Sequence, residues 1–468
     1  MSSLPVVAIV GRPNVGKSTL FNALTRTRDA LVADTPGVTR DRIYGRARLG
    51  ERNVILVDTG GLDKAGGEVE TGAQVQTHLA IDEADLVLML TDARSGILPV
   101  EHEIAADLRQ RGKSVLHVLN KTDGLEVEMA EAESAELGLG EIWPIAASHR
   151  RGLEQLSQAM SERLPEDPGS DIPDDDGLRL ALIGRPNAGK STLLNRLLGE
   201  ERALATPVAG TTRDPIHATV ERDGVRYHLI DTAGIRRRRG SHEGVERFST
   251  IKALQSVEQA RIVCLICDVL EGITEQDARL AGHVIEAGRG LVVVLNKWDA
   301  IDNDRRRAVL VEVADRLDFA RFAPVVTVSA LHGSGLGELT DAVEHVHEAG
   351  EQTFSTSALT RVLRDAVASH PPPAVQRKVP KLRFAHSGGH FPTRIVIHGT
   401  RCRGIPDQYQ RYLINCFRKH FRLTGMPVRL VFKEGENPYA GRRNPLTPRQ
   451  QQKRRRLKQF VQRKNRKR

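Results

Sequence analysis

The sequence predicts an α/β fold used twice: two mostly parallel sheets with helices on both faces, followed by a smaller α+β module and a basic tail. Three observations predict it. The segment GRPNVGKSTL, from Gly11 to Leu20, returns as GRPNAGKSTL from Gly184 to Leu193, 173 residues further on. Each copy follows a short apolar run, VVAIV or LALIG, that reads as a buried parallel strand. Beyond residue 350 the composition changes. Residues 351–468 hold 28 Lys+Arg and 5 Asp+Glu, a net of +23 in a chain of net +10, so residues 1–350 carry −13.

Both repeated segments fit G-x-x-x-x-G-K-S, a phosphate-binding loop between a strand and a helix. The first is Gly11, Arg12, Pro13, Asn14, Val15, Gly16, Lys17 and Ser18. The second is Gly184, Arg185, Pro186, Asn187, Ala188, Gly189, Lys190 and Ser191. The glycines let backbone N–H groups wrap phosphate oxygens, the lysine reaches the terminal phosphates, and the serine hydroxyl ligates magnesium. The helix that follows offers its N-terminal dipole to the same anion.

What comes next is held in order and spacing. Thr39 and Thr212 each stand 22 residues after their loop lysine, and Asp58 and Asp231 each stand 41 after it. This is an internal repeat of whole domains. Val54–Val57 and Tyr227–Ile230 read as strands that deliver Asp58-Thr59-Gly60-Gly61 and Asp231-Thr232-Ala233-Gly234 at their C-terminal ends, where ligands bind in open α/β sheets. There Asp58 and Asp231 hold magnesium, with Ser18, Ser191, Thr39 and Thr212. Gly61 and Gly234 meet the γ-phosphate through their backbone N–H groups. Thr39 and Thr212 reach metal and γ-phosphate only in the triphosphate state.

Strands VLHVL and LVVVL lead into Asn120-Lys121-Thr122-Asp123 and Asn296-Lys297-Trp298-Asp299. A carboxylate there accepts two hydrogen bonds from guanine, at N1–H and the 2-amino group. Adenine offers neither, and such a mismatch discriminates by roughly 10⁴-fold. Asp123 and Asp299 therefore select GTP and GDP over adenine nucleotides. Ala146-Ala147-Ser148 and Ser329-Ala330-Leu331 stand where a last guanine contact falls, and Ala146 departs from the Ser-Ala form. The hydrolytic position is also unusual. Many GTPases place a water-orienting glutamine directly after D-x-x-G. Leu62 and Ile235 stand there and cannot hydrogen-bond water, so intrinsic hydrolysis is expected to be slow.

Composition excludes other classes. Four cysteines in 468 residues provide no disulfide framework. Cys264 and Cys267 lie three apart in RIVCLICDV, on opposite faces of a strand, which suits a core and not a metal or redox pair. The histidines show no ligand spacing. No apolar run is long enough to span a bilayer, and LPVVAIV leads straight into a phosphate loop, so it reads as a strand and not a signal peptide. A cytoplasmic location is expected.

The boundaries follow from these features. Residues 1–164 and 178–350 are the two nucleotide domains. Between them Pro165–Gly177 (PEDPGSDIPDDDG), with six acids and three prolines, reads as an extended linker. Residues 351–435 show helix (SALTRVLRDAVASH), strand (KLRFAH), strand (TRIVIH), helix (DQYQRYLINCFRKHF), strand (PVRLVF). The helix faces Leu359, Val362, Leu363, Ala366, Val367 and Tyr409, Tyr412, Leu413, Cys416, Phe417 keep a 3.6 period. This α-β-β-α-β unit resembles a KH-type RNA-binding module, but lacks the G-x-x-G loop between helices with which a KH domain clamps nucleotides. Ser387-Gly388-Gly389-His390 lies between strands instead. Docking to protein or to the neighbouring domain is the alternative to RNA. Residues 436–468 read as a disordered tail; 442–468 alone hold 13 Lys+Arg and no acid. Such a tail suits RNA phosphates. Anionic lipid is the alternative, without a lipidation site or a clear amphipathic anchor to support it.

Two such domains, an acidic linker and a KH-like module together resemble the bacterial EngA/Der GTPases over almost the whole chain. The matching residues include Pro36–Asp41 (PGVTRD) and Ala209–Asp214 (AGTTRD). The resemblance implies a GTP-hydrolysing switch in assembly of the large ribosomal subunit, which binds ribosomal RNA in a nucleotide-dependent way and leaves on hydrolysis. It implies nucleotide domains that move against the KH-like module; a monomer without a membrane partner is expected. Asn14 and Asn187 resemble the asparagine that, in GTPases with this loop, helps hold a potassium ion beside the β- and γ-phosphates. Stabilising the loop is their alternative role. The run Arg236–Arg239 after Ile235 is placed to read nucleotide state and touch RNA or the KH-like module. A membrane or cell-cycle signalling GTPase and a partner in RNA modification remain the competing functions.

Overall fold

A computed structural model describes residues 4–25, 44–50, 52–60, 70–165 (side chains from 77), 177–199, 218–222, 224–230, 250–374, 378–402 and 404–434. The acidic linker, the basic tail, both D-T-x-G segments beyond Gly60 and Ile230, and the two threonine segments lie outside these.

The first domain runs β1 (Val6–Val10), α1 (Lys17–Thr25), β2 (Tyr44–Leu49), β3 (Arg52–Asp58), α2 (Glu70–Glu83), β4 (Leu86–Asp92), α3 (Pro99–Gln110), β5 (Val115–Asn120), α4 (Val127–Ser134), β6 (Ile142–Pro144) and α5 (Leu153–Arg163). Its sheet order is β2-β3-β1-β4-β5-β6, parallel except for the β2–β3 edge. β1 and β4 are buried along their whole length because helices cover both faces, hence their unbroken apolar runs.

The second domain repeats this: β7 (Leu178–Ile183), α6 (Lys190–Gly199), β8 (Ala218–Arg222), β9 (Val225–Ile230), α7 (Thr250–Gln259), β10 (Ile262–Asp268), α8 (Glu275–Ala287), β11 (Gly290–Asn296), α9 (Asn303–Arg316), β12 (Val325–Thr327) and α10 (Leu336–Glu351). The order β8-β9-β7-β10-β11-β12 is that of the first sheet. Cys264 and Cys267 of β10 fall in the two cores on opposite faces of this sheet. Burial pushes the Cys264 thiol up to about 12, which removes its nucleophilic form.

The third unit is α11 (Thr356–Ser369), β13 (Lys381–Gly389), β14 (Thr393–Thr400), α12 (Asp407–Phe421) and β15 (Val428–Glu434). β14 pairs antiparallel with β13 and parallel with β15. The two helix faces read from the sequence pack on one side of this sheet, with Leu359, Leu363, Leu413 and Phe417 against Ile395 and Ile397.

The second domain is the hub. Met426, fully buried, belongs to its core, and Leu291 N–H donates to Gly425 O and Gly425 N–H to Phe322 O, both at 2.8 Å. Gly425 has φ +70°, and a Cβ there would collide with Val346, so only glycine fits. Toward the first domain, α7 works on two faces. Ala253 and Val257 enter the second domain's own core, while Ile251 and Leu254 complete a core of the first, beside Val6, Ala80 and Ile81. Gln255 Nε2 donates to Leu4 O at 3.1 Å. All three units meet at Glu286 O, which accepts from Arg46 of the first domain at 3.5 Å and from Arg429 of the third unit; beside it Glu258 accepts from Arg46 at 2.6 Å and lies 3.5 Å from Arg289. Burial lowers the basicity of both Arg289 and Arg429.

Candidate functional site

Each phosphate loop leaves the C-terminal end of a central strand and opens a helix, α1 or α6. Gly11 and Gly184 have φ near +150°, and a Cβ at either would strike the carbonyl of Leu90 or Ile266 on the adjacent strand. A Cβ at Gly16 or Gly189 would strike Asn120 or Asn296. The glycines are therefore fixed by close approach of the strand ends as well as by backbone conformation. Asn14 and Asn187 are exposed and left-handed, φ +67° and +59°, which asparagine tolerates better than most residues.

Lys17 is buried at the loop: its ammonium donates to Gly11 O at 2.6 Å and Arg12 O at 3.0 Å. Lys190 donates to Arg185 O at 2.6 Å. A Cβ on Gly60 would lie 2.6 Å from Lys17 Cε, so the loop lysine and the D-T-x-G segment share one space. Asp58, 1% exposed, accepts from Gly60 N–H at 3.0 Å, and Thr59 Oγ1 donates to Ile9 O at 2.8 Å. A buried carboxylate beside a loop that carries the Ser18 hydroxyl offers hard oxygen ligands, which suit magnesium. In the second domain Asp231, Thr232, Ala233, Gly234 and Ile235 lie outside the described residues, as do Thr39, Gly61, Leu62, Thr212 and Arg236–Arg239.

The N-K-x-D motifs are built alike. Asn120 Nδ2 donates to Val15 O at 2.9 Å and its Oδ1 accepts from Ala147 N–H at 3.1 Å. Asn296 does the same with Ala188 O (2.8 Å) and Ala330 N–H (3.0 Å). The asparagines thus tie the phosphate loop to the last loop. Lys121 and Lys297 take positive φ and salt-bridge Asp92 (2.7 Å) and Asp268, at the ends of β4 and β10. Thr122 N–H donates to Ile145 O and Trp298 N–H to Val328 O, both at 3.2 Å, and Arg306 lies over the Trp298 ring. Asp123 meets Arg94 at 2.6 Å. Asp299 lies 3.4 Å from His332, and the Ser329 hydroxyl, more than that imidazole, holds its carboxyl below the usual range.

Two partners had no reading in the sequence, Glu101 and Asp277. Arg12 and Arg185 belong to the loops, yet their guanidiniums turn to fully buried carboxylates, Glu101 at 3.2 Å and Asp277 at 3.0 Å. Each carboxylate also accepts the N–H that opens its helix, from Leu98 at 2.8 Å and Thr274 at 2.9 Å. Those guanidiniums therefore brace the loop. The signal was available, since Asp92 to Glu101 and Asp268 to Asp277 are both nine residues.

Two phosphate loops, each tied by the asparagine of an N-K-x-D motif to a third loop, define a tandem guanine-nucleotide-binding protein. The profile of the family described as "50S ribosome-binding GTPase" matches residues 6–121 and 179–297, and that of the "KH-domain-like of EngA bacterial GTPase enzymes, C-terminal" matches 354–433. A GTPase Der of Thioalkalivibrio sulfidiphilus is 52% identical over 98% of this chain and 100% of its own length. One of Salmonella paratyphi C is 48% identical over 98% and 99%. The solved structure of Era with MgGDPNP and a 16S ribosomal RNA fragment shares 24% identity over 55% of this chain and 93% of that one, at a TM-score of 0.29, and carries no functional weight. The chain belongs to the Der (EngA) family of GTPases and hydrolyses GTP.

Proposed function

We propose that this GTPase is a switch in assembly of the large ribosomal subunit, binding ribosomal RNA as a monomer in a nucleotide-dependent way. The observation that carries this reading is the wedging of the KH-like unit, through Gly425 and Met426, into a domain that holds a complete phosphate loop and guanine aspartate. The 50S-binding description of the family supports the choice of partner. Among the described residues no helix is long and apolar enough to cross a membrane.

The site residues divide the work. Backbone N–H groups of residues 11–18 and 184–191 wrap the phosphates, with Lys17 and Lys190 on the terminal pair. Asp123 and Asp299 read the guanine edge. Ser18, Asp58 and Thr39, with Ser191, Asp231 and Thr212, hold magnesium, which neutralises charge between the β- and γ-phosphates when bound. Leu62 and Ile235 leave the attacking water without a side-chain partner, so hydrolysis is slow. Asn14 and Asn187 hold potassium, although their left-handed backbone alone also suits asparagine. Hydrolysis is faster in potassium than in sodium; equal rates would remove this role.

The test is sedimentation with purified large subunits, in GDP and in a non-hydrolysable GTP analogue, over a salt series. Nucleotide-selective binding at physiological salt is expected. Binding that ignores nucleotide and vanishes with salt would leave only polycation adsorption.

A further inference from the structure

Among the described residues, the sheet β13–β14–β15 packs its unit's two helices on one face. Its inner residues Ala385, Ile395, Ile397 and Val428 are core. The other face is organised by register. Phe384 stands opposite His398, and His398 opposite Lys433, so phenyl, imidazole and ammonium form one row across three strands. Phe384 is 41% exposed and stacks flat on His398, with centroids 4.4 Å apart and planes at 7°. His386 Nε2 lies 3.1 Å from His398 Nε2, which keeps the second ring in place. Lys381, paired with Thr400, adds a further exposed cation on this face. By strand alternation none of the described acids of these three strands points to it, Glu434 falling on the inner side, while Glu286 and Glu258 of the second domain lie near its far end at Arg429.

We propose that this outer face is a stacking platform for single-stranded RNA, with Phe384 on His398 as the base-stacking centre and Lys433 and Lys381 as phosphate contacts. It rests on the RNA-binding reading above and names where the strand lies. A large exposed aromatic flanked by cations, with no acid of its own strands beside it, is what a stacked base and its phosphate require. The unit lacks the G-x-x-G clamp of KH domains, so RNA contact needs another surface. Burial, with His386 and Lys433 nearby, disfavours the charged form of His398 and leaves a neutral ring for stacking. The opposite end of this face, at Arg429, is closed by the second nucleotide domain, which orients the strand toward the Phe384 end.

The experiment compares full-length protein with Phe384→Ala, Phe384→Trp and Lys433→Ala by anisotropy of a fluorescein-labelled octa-adenylate, single-stranded and in duplex with octa-uridylate. The basic tail is common to all four proteins and cancels in the ratio. Phe384→Ala is expected to weaken single-strand binding by about five-fold to a hundred-fold, with Phe384→Trp near wild type and no matching loss on duplex. Lys433→Ala is expected to lower the log–log salt slope by about 0.7. Unchanged GTP hydrolysis confirms folding, since Phe384 is outside the nucleotide sites. Equal single-strand affinity of wild type and Phe384→Ala, equal loss on duplex, or no binding by any variant overturns the platform. So does loss of ribosomal-subunit binding in Phe384→Ala without loss on the oligonucleotide, which would make this a protein-docking face. If the Phe384 difference holds and the subunit does not bind, the ribosomal role fails and the platform stands.

Discussion

In the first nucleotide domain Asp123 is ion-paired to Arg94; in the second, Leu270 occupies the equivalent position and the Ser329 hydroxyl, where the first domain has Ala146, holds Asp299, while a histidine lies beside both aspartates, His149 at 3.8 Å and His332 at 3.4 Å. The loops, glycine conformations and asparagine bridges are otherwise matched nearly atom for atom. The cores differ as well. His117 is buried in β5 where the second domain has Val293 in β11. The first domain needs Ile251 and Leu254 from its neighbour to complete one core, whereas the second carries both other units. A duplicated site therefore keeps its phosphate chemistry, while its tuning comes from neighbours that duplication does not preserve.

The largest test asks whether the two aspartates do the same work. If both carboxylates read guanine as proposed, Asp123→Asn and Asp299→Asn each replace two charge-assisted hydrogen bonds, about 3–6 kcal/mol, and should cut GTP affinity of their own domain by roughly a hundred-fold or more. Titration calorimetry resolving two sites would show this; an effect in only one domain breaks the symmetry of the guanine reading.

Acid should separate the domains next. Burial depresses His117 from its ordinary value of 6.5 to about 4. The unfolded chain then binds a proton that the folded one does not, so first-domain stability falls as pH drops from about 6.5 toward 4, by up to about 3 kcal/mol. His117→Val, which copies the second domain, should abolish the slope in hydrogen-exchange measurements. A persistent slope would place the proton elsewhere.

Leu254→Ala removes a side chain that only the first domain's core receives. A cost of about 2 kcal/mol is expected there, with the second domain's nucleotide affinity unchanged. Differential protection by hydrogen exchange reads it, and equal loss in both domains would mean that α7 supports the second domain more than the first.

The smallest change is Arg94→Leu. Arg94 and Asp123 are 51% and 26% exposed, so the pair is worth at most about 1 kcal/mol. If a base competes with the guanidinium for Asp123, the variant should bind GDP up to about five-fold more tightly in the first domain. Weaker binding would show that Arg94 positions the carboxylate instead.

The strands, both glycine-rich loops, the N-K-x-D turns and the α-β-β-α-β unit were legible because each is a contiguous pattern: an apolar run ending in a motif, or a helix face at 3.6 spacing. Repetition at fixed intervals reinforced each of them. Less legible were partners distant in the chain. Nothing local in Arg12 reveals Glu101, 89 residues on, and the ten residues of α7 hold no motif. Its apolar residues Ile251, Ala253, Leu254 and Val257 form one broad face, a pattern which cannot say that the two sides of that face serve different domains.

The sequence by itself determined that two guanine-nucleotide sites and a KH-like unit exist, because phosphate and guanine recognition use backbone geometry and side chains a few residues apart. Only the tertiary structure decided that Asn120 and Asn296 bridge two loops, that Gly425 locks the third unit to the second domain, and that Phe384, His398 and Lys433 align in one row. Those outcomes depend on strand register and on packing between segments tens to hundreds of residues apart, and the linear pattern carries no term for either.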